Sequence, residues 1–349
     1  MFFILFFFTY YVKPMIREYL KLARSFNSFL TGISPVMGAI AMGKFDLFHL
    51  FLLFLIGFFG HTYGFVLNDI LDLKIDKLNK DLGDRPLISG SISLRNAWIF
   101  AITSMVISFL LAAYLCFKTD TYFPLLILFF SASVITIYDI ISKKYPLMDI
   151  FSSSAVFLLI LYGATTVSGN INQITILAWI VCLLGWIQVF FMQLVPGGLK
   201  DIKNDYEAGA STAAVKFGVR VTKTGLIKIP FIYKLISYFI QIINIAFVFL
   251  PFLIIFKERV FIHYVIWVLL CFVGFLMLFV SYKFLNMRYF DRGKMRKLLG
   301  SHFSINFALV PIMLMALNPW TIIIVIFPPI GFVLSNLILH GTLLQPKTM

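Results

Sequence analysis

Acid is the scarcest chemistry in this 349-residue chain: fifteen Asp and Glu stand against twenty-nine Lys and Arg, and charged residues make up only 13% of the total. Soluble domains carry about a quarter charged residues, so an ordinary water-facing globule is excluded. Cysteine is nearly absent. Cys116, Cys182 and Cys271 sit in apolar runs without CxxC spacing, which excludes a disulfide framework and a thiolate metal site. His49, His61, His263, His302 and His340 are scattered without paired spacing, so nothing supports a haem or redox centre. No polar stretch is long enough to form a separate soluble domain. Hydrocarbon fills the chain instead, with 61% of residues hydrophobic.

At about 20 apolar residues per helical crossing, the runs at 27–43, 46–67, 95–116, 122–141, 148–168, 174–195, 231–256, 260–284, 300–316 and 319–340 predict nine to ten spans. The expected class is all-α, a polytopic transmembrane helical bundle, with residues 1–23 as a lead-in, 24–340 as one bundle and 341–349 as a tail. Net charge +14 raises the question of nucleic acid, but the cations are spread through short loops with no aromatic-interleaved basic domain. Topology explains them better. With a cytoplasmic N-terminus, twenty-five of the twenty-nine cations fall on the inside, leaving Lys44, Lys118, Lys257 and Arg259 outside. That is the positive-inside pattern, and it puts both termini in the cytoplasm of a multi-pass membrane protein. The apolar Met1–Val12 run has neither a preceding basic region nor a small-residue cleavage site, so an interfacial lead-in is expected rather than a signal peptide.

Ten of the fifteen acids lie in three inside segments: Asp69, Asp72, Asp76, Asp81 and Asp84; Asp139 and Asp149; and Asp201, Asp205 and Glu207. Asn68, Asp72 and Asp76 are spaced i, i+4, i+8 at the end of the second span, which places an amide and two carboxylates on one helix face. Asp201 and Asp205 repeat the i, i+4 spacing after the sixth span. Like charges so spaced cost a few tenths of a kcal/mol even in water, and more near hydrocarbon. Something cationic should offset them. Two oxygen-rich faces at one depth suit Mg²⁺, a hard cation that takes a few carboxylates and completes its shell with water and phosphate. On this reading Asp72→Asn or Asp201→Asn relieves repulsion and leaves fold stability unchanged or slightly improved.

Candidate anion contacts surround the acids. Lys77, Lys80 and Arg85 follow the first cluster, Lys200 and Lys203 interleave the second, and Tyr138 with Lys143 stands at the mouth of the fourth span. Each cation taken singly has a topogenic explanation. Arg85 stands apart because Pro86 and Gly90 shape the loop after it.

The motifs Asn68-Asp69-x-x-Asp72-x-x-x-Asp76, Arg85-Pro86-Leu87-x-Ser89-Gly90 and Asp201-Ile202-x-x-Asp205-x-x-Ala208-Gly209-x-x-Thr212-x-Ala214-Val215-x-x-Gly218 resemble those of the UbiA superfamily of intramembrane prenyltransferases. The match lies in both motifs, in their order and in their place after the second and sixth spans, and it covers roughly residues 17–285. The resemblance implies a helical bundle around a central cavity open to the bilayer, and Mg²⁺-dependent transfer of an isoprenyl chain from its diphosphate to a lipophilic acceptor. It implies that Asn68, Asp72, Asp76, Asp201 and Asp205 hold the metal and diphosphate and that Tyr138 and Lys143 serve catalysis; with the anion contacts above, Asn68, Asp69, Lys77, Lys200 and Lys203 are the expected substrate-binding residues and Arg85 a further catalytic one. Membrane lipid is the expected surrounding, and nucleic acid is not a partner. Departures are the stretch Lys80-Asp81-Leu82-Gly83-Asp84, an extra tenth span and the basic run at 283–297.

Two acceptors fit. The Ala208-Gly209-x-x-Thr212-x-Ala214-Val215 ending looks like quinone-pathway members acting on aromatic acceptors, whereas Arg24-Ser25-Phe26-Asn27-Ser28-Phe29 looks like archaeal ether-lipid synthases, whose acceptor is a glycerol phosphate carrying one chain. The aromatic acceptor is favoured slightly. From another class, a lipid-diphosphate or ion transporter would place its acids near the midplane on broken helices; here they lie at helix ends.

Overall fold

The computed structural model describes residues 14–77, 82–257 and 260–344. The expectations for residues 1–13 of the lead-in, for Lys80 and Asp81, and for residues 345–349 of the tail lie outside the described residues. In chain order the elements are α1 (Pro14–Leu22), α2 (Ser25–Gly32), α3 (Ser34–Ala41), α4 (Leu47–Leu71), α5 (Leu73–Asp76), α6 (Pro86–Ser89), α7 (Leu94–Thr119), α8 (Phe123–Ile141), α9 (Asp149–Ser168) and α10 (Ile176–Met192). They continue with α11 (Gly198–Glu207), α12 (Ala213–Lys216), the strands β1 (Arg220–Val221) and β2 (Ile227–Lys228), then α13 (Phe231–Ile254), α14 (Phe261–Leu285), α15 (Arg292–Leu314) and α16 (Ile322–His340). Among the described residues nine helical runs are long and apolar enough to cross a bilayer.

Three boundaries differ from the sequence expectation. The run 27–43 is two short helices, because Pro35 in the first turn of α3 lacks the N–H that would continue α2. The sixth span passes its expected end at 195 through a π turn, Gln193–Gly197, which contains Pro196 and leads into α11; Ile176–Glu207 is one bent column. A wider turn accommodates the proline's missing donor. The ninth run begins at Arg292 rather than 300, because the Asp291 side chain caps it by accepting from the Lys294 amide at 2.9 Å.

Packing in the membrane relies on close approach and on internal polar ties. A Cβ on Gly163 would stand 1.8 Å from the Pro35 carbonyl oxygen, and one on Gly38 would stand 2.0 Å from that of Ile160. Only glycine lets α3 and α9 lie so close. Deeper in the bundle, the Asn244 amide on α13 donates to Asn306 of α15 at 2.9 Å, and Ser281 of α14 donates to Gln241 of α13 at 2.8 Å. Apolar side chains such as Leu110, Phe117 and Phe275 stay exposed on the outside, where lipid replaces water.

At the end carrying the acidic motifs, β1 and β2 form an antiparallel hairpin. The 286–291 loop lies against it: the Ile227 amide donates to the Arg288 carbonyl at 3.1 Å and the Phe290 amide to that of Gly225 at 2.9 Å. This cap leads directly into the first residue of α15.

Candidate functional site

A cavity of about 430 Å³ opens at that end, lined by Asn68, Asp72 and Asp76 on one side and by Lys200, Asp201 and Asp205 on another. Apolar residues such as Phe109, Leu128, Ile135 and Leu159 line it further in. A cavity of this size, charged at one end and apolar further in, suits an amphiphilic organic ligand.

The first wall comes from the end of α4. The helix bends at Asp72, but the Asp72 amide still donates to the Asn68 carbonyl and the Asp76 amide to that of Asp72, each at 2.9 Å. The i, i+4, i+8 face therefore survives the bend. Lys143 Nζ lies 3.1 Å from Asp72 Oδ2 and 3.6 Å from Asp76 Oδ1, while Arg85 pairs with Asp76 through Nη1. Burial pushes the Asp72 carboxyl above its ordinary range, with Lys143 opposing and Asp76 reinforcing the shift. Burial also works against the charges of Lys143 and Arg85, yet Asp72 and Asp76 beside the lysine and Asp69 and Asp76 beside the arginine raise both pKa values. The Asn68 amide donates to Asp139 Oδ1 at 3.3 Å.

The second wall is α11. Lys200 Nζ lies 2.9 Å from Asp201 Oδ2, and Arg292 Nη2, from the start of α15, lies 2.8 Å from Asp201 Oδ1. Asp205 lines the cavity one turn on and is buried. Tyr138, Lys143 and Arg85 also line it.

Three expected substrate contacts fall elsewhere. Asp69, one residue beyond Asn68, is turned about 100° around the helix; it is buried between Arg24 Nη2 at 2.6 Å and Arg85 Nη1 at 3.3 Å and is not a lining residue. Lys77 and Lys203 are exposed and do not line the cavity. Lys203 stands two residues from Asp201, on a different face of its helix. Conversely, Arg24, Asp139 and Arg292 border the cavity without having stood out as site residues. An acid in the otherwise apolar α8 was the one available signal for Asp139. Arg24 opened the stretch that resembles the ether-lipid synthases but was not singled out as a site residue, and Arg292 looked like any topogenic cation.

The stability expectation is reversed for Asp201, which faces Lys200 and Arg292, each 7% exposed, so that removing its carboxylate strands buried charge rather than relieving repulsion. For Asp72 it stands, since burial and Asp76 disfavour its charge and Lys143 keeps Asp76. The oxygens are also not gathered as a cage: among the described residues no three His, Cys, Asp or Glu side chains could hold an ion by themselves. Two separate half-sites of hard oxygen donors fit Mg²⁺ only in its usual manner, with substrate phosphate and water completing the shell.

With this geometry the comparisons with known proteins agree. The UbiA prenyltransferase family matches residues 28–307. The chain belongs to that family. It is therefore an intramembrane prenyltransferase, which removes the transporter alternative. A digeranylgeranylglyceryl phosphate synthase of Methanococcus vannielii is 28% identical over 271 residues, covering 75% of this chain and 85% of the relative. A 4-hydroxybenzoate octaprenyltransferase of Francisella tularensis is also 28% identical, but over 163 residues, 46% of this chain and 53% of the relative. The structure of a UbiA homolog from Archaeoglobus fulgidus bound to GPP and Mg²⁺ superposes with a TM-score of 0.59, at 18% identity, over 84% of this chain and 99% of that one. At such identity the likeness speaks for the fold.

Proposed function

We propose that this protein transfers a geranylgeranyl chain from its diphosphate to a glycerol phosphate already carrying one chain, making an ether lipid. What carries the choice of acceptor is coverage: the relative matched over 85% of its length bears an ether-lipid name, the aromatic-acceptor relative only 53%. This reverses the slight preference drawn from the end of the second motif.

The chain's own groups divide the work. The apolar inner cavity takes the isoprenoid tail, which needs no directed contacts. Asn68, Asp72, Asp76, Asp201 and Asp205 are the oxygen donors proposed to hold Mg²⁺, which when bound supplies electrophilic stabilisation of the departing charge. Lys143, Arg85 and Lys200 then turn from carboxylate to phosphate oxygens as the C1–O bond breaks, because preorganised cations act most strongly where charge develops. Tyr138 borders the reacting end. The acceptor hydroxyl oxygen closes the new C–O bond at C1 and gives up its proton at the polar end of the cavity.

The test is purified protein in lipid nanodiscs with radiolabelled geranylgeranyl diphosphate and Mg²⁺, offered geranylgeranylglyceryl phosphate and 4-hydroxybenzoate in parallel. Label should enter the glycerol lipid. Label in the benzoate product alone would establish the aromatic reading instead.

The basic-residue asymmetry supports a cytoplasmic polar end and cytoplasmic termini. Cysteine-accessibility labelling should reach position 203 from the cytoplasm and position 118 from the opposite face; labelling of both from one side would overturn that orientation.

A further inference from the structure

Asp201 presents two oxygens and both are taken, Oδ2 by Lys200 and Oδ1 by Arg292. Exposure runs opposite to expectation: the Asp201 side chain is 34% exposed, whereas Lys200 and Arg292 are each 7% exposed. The carboxylate stands forward into the cavity and the cations stand behind it. A metal drawn to the open side of Asp201 would compete with both cations for its negative charge. Lys200 is its chain neighbour on α11 and shares its fate. Arg292 arrives from a different element, held by the cap through the Phe290 amide, the Leu226–Tyr289 bridge and the Asp291 side chain at the start of α15.

We propose that Arg292 is a diphosphate-binding residue, delivered by the cap to the second wall and shared between Asp201 and a phosphate oxygen when isoprenyl diphosphate is bound; this rests on the prenyltransferase reading above. A guanidinium suits the task because its planar fork of five N–H donors can hold a carboxylate and a phosphate at once. A buried cation whose carboxylate is drawn towards a metal is stabilised by a further anion, and diphosphate is the anion the reaction brings. Topogenic charge does not account for Arg292: of the cations at 283–297, Arg292 is the one that lines the cavity, while Lys294 and Lys297 are exposed.

The experiment measures binding rather than turnover, using purified full-length protein, Mg²⁺ and the unreactive geranylgeranyl thiodiphosphate. Arg292→Gln should raise Kd by about tenfold or more, the scale of a lost charge-assisted hydrogen bond. Arg292→Lys, which keeps the charge and loses the fork, should raise it about threefold. Lys294→Gln should stay within about twofold of wild type, as expected of an exposed charge. Thermal unfolding without ligand shows whether each variant is folded. If Arg292→Gln does not fold, Arg292→Lys decides: weakened binding supports the assignment and wild-type affinity overturns it. Folded Arg292→Gln with wild-type affinity, or equal weakening in Lys294→Gln, overturns the role of Arg292 alone. Wild type that binds but transfers nothing overturns the enzymatic reading and leaves Arg292 standing. Wild type that does not bind overturns both.

Discussion

The two walls of the cavity solve one electrostatic problem in opposite ways. On the first, no carboxylate stands forward of its cation: Asp76 and Arg85 are both 8% exposed, and Asp72 at 12% lies deeper than Lys143 at 26%. On the second, Asp201 stands at 34% and its cations are buried. A buried carboxylate is held by whatever pairs with it, so the first wall is a fixed scaffold. A carboxylate standing forward from buried cations changes partner more readily, so the second wall is where an incoming charge makes the larger difference.

The largest effect should be on turnover, and it should not distinguish the walls. Asp72→Asn and Asp201→Asn are each expected to lower the transfer rate by orders of magnitude and to raise the Mg²⁺ concentration needed by any residual activity, because each removes an anionic donor while keeping shape. Transfer rate against Mg²⁺, with chelator as the zero point, measures this. Full activity in chelator would reduce both walls to ion pairs.

Stability separates them. Asp201→Asn should cost about 3 kcal/mol, since it takes the shared carboxylate from Lys200 and Arg292, each 7% exposed. Asp76→Asn should cost about 1 kcal/mol, since Arg85 keeps Asp69 at 3.3 Å. Chemical denaturation in detergent without substrate reads both, and equal costs would erase the contrast. Within the first wall, Lys143→Ala should weaken diphosphate binding by about 1–3 kcal/mol, whereas the exposed Lys144 should be silent to the same change; titration of each variant with the thiodiphosphate decides. The smallest effects belong to Lys77→Ala and Lys203→Ala, which should shift KM for the diphosphate by less than about twofold, as exposed charges do.

The contrast between walls also marks how far sequence reading reached. Asn68, Asp72 and Asp76 were legible as one face because helix periodicity is local, and the amide contacts that preserve it join residues four apart. Lys143 stood out because a cation at a helix end near an acidic motif is conspicuous in a chain so poor in acid. Asp69 misled for the same local reason: adjacency in sequence suggested a shared role, while the helix turned it towards Arg24. Arg292 was invisible, lying ninety-one positions from Asp201 in a basic run that the positive-inside rule already explained.

The all-helical bundle of nine to ten spans and the acid pairs at helix ends followed from composition and from a 3.6-residue period, properties that need no knowledge of what lies opposite. The break at Pro35 and the π turn at Pro196 were decided where a missing donor met its neighbours. Which cation neutralises which acid, and which of them faces the cavity, was set only by tertiary packing. Coulomb energy in a dry wall depends on a few ångströms between side chains, and those separations exist only once α4, α11 and α15 have been brought together.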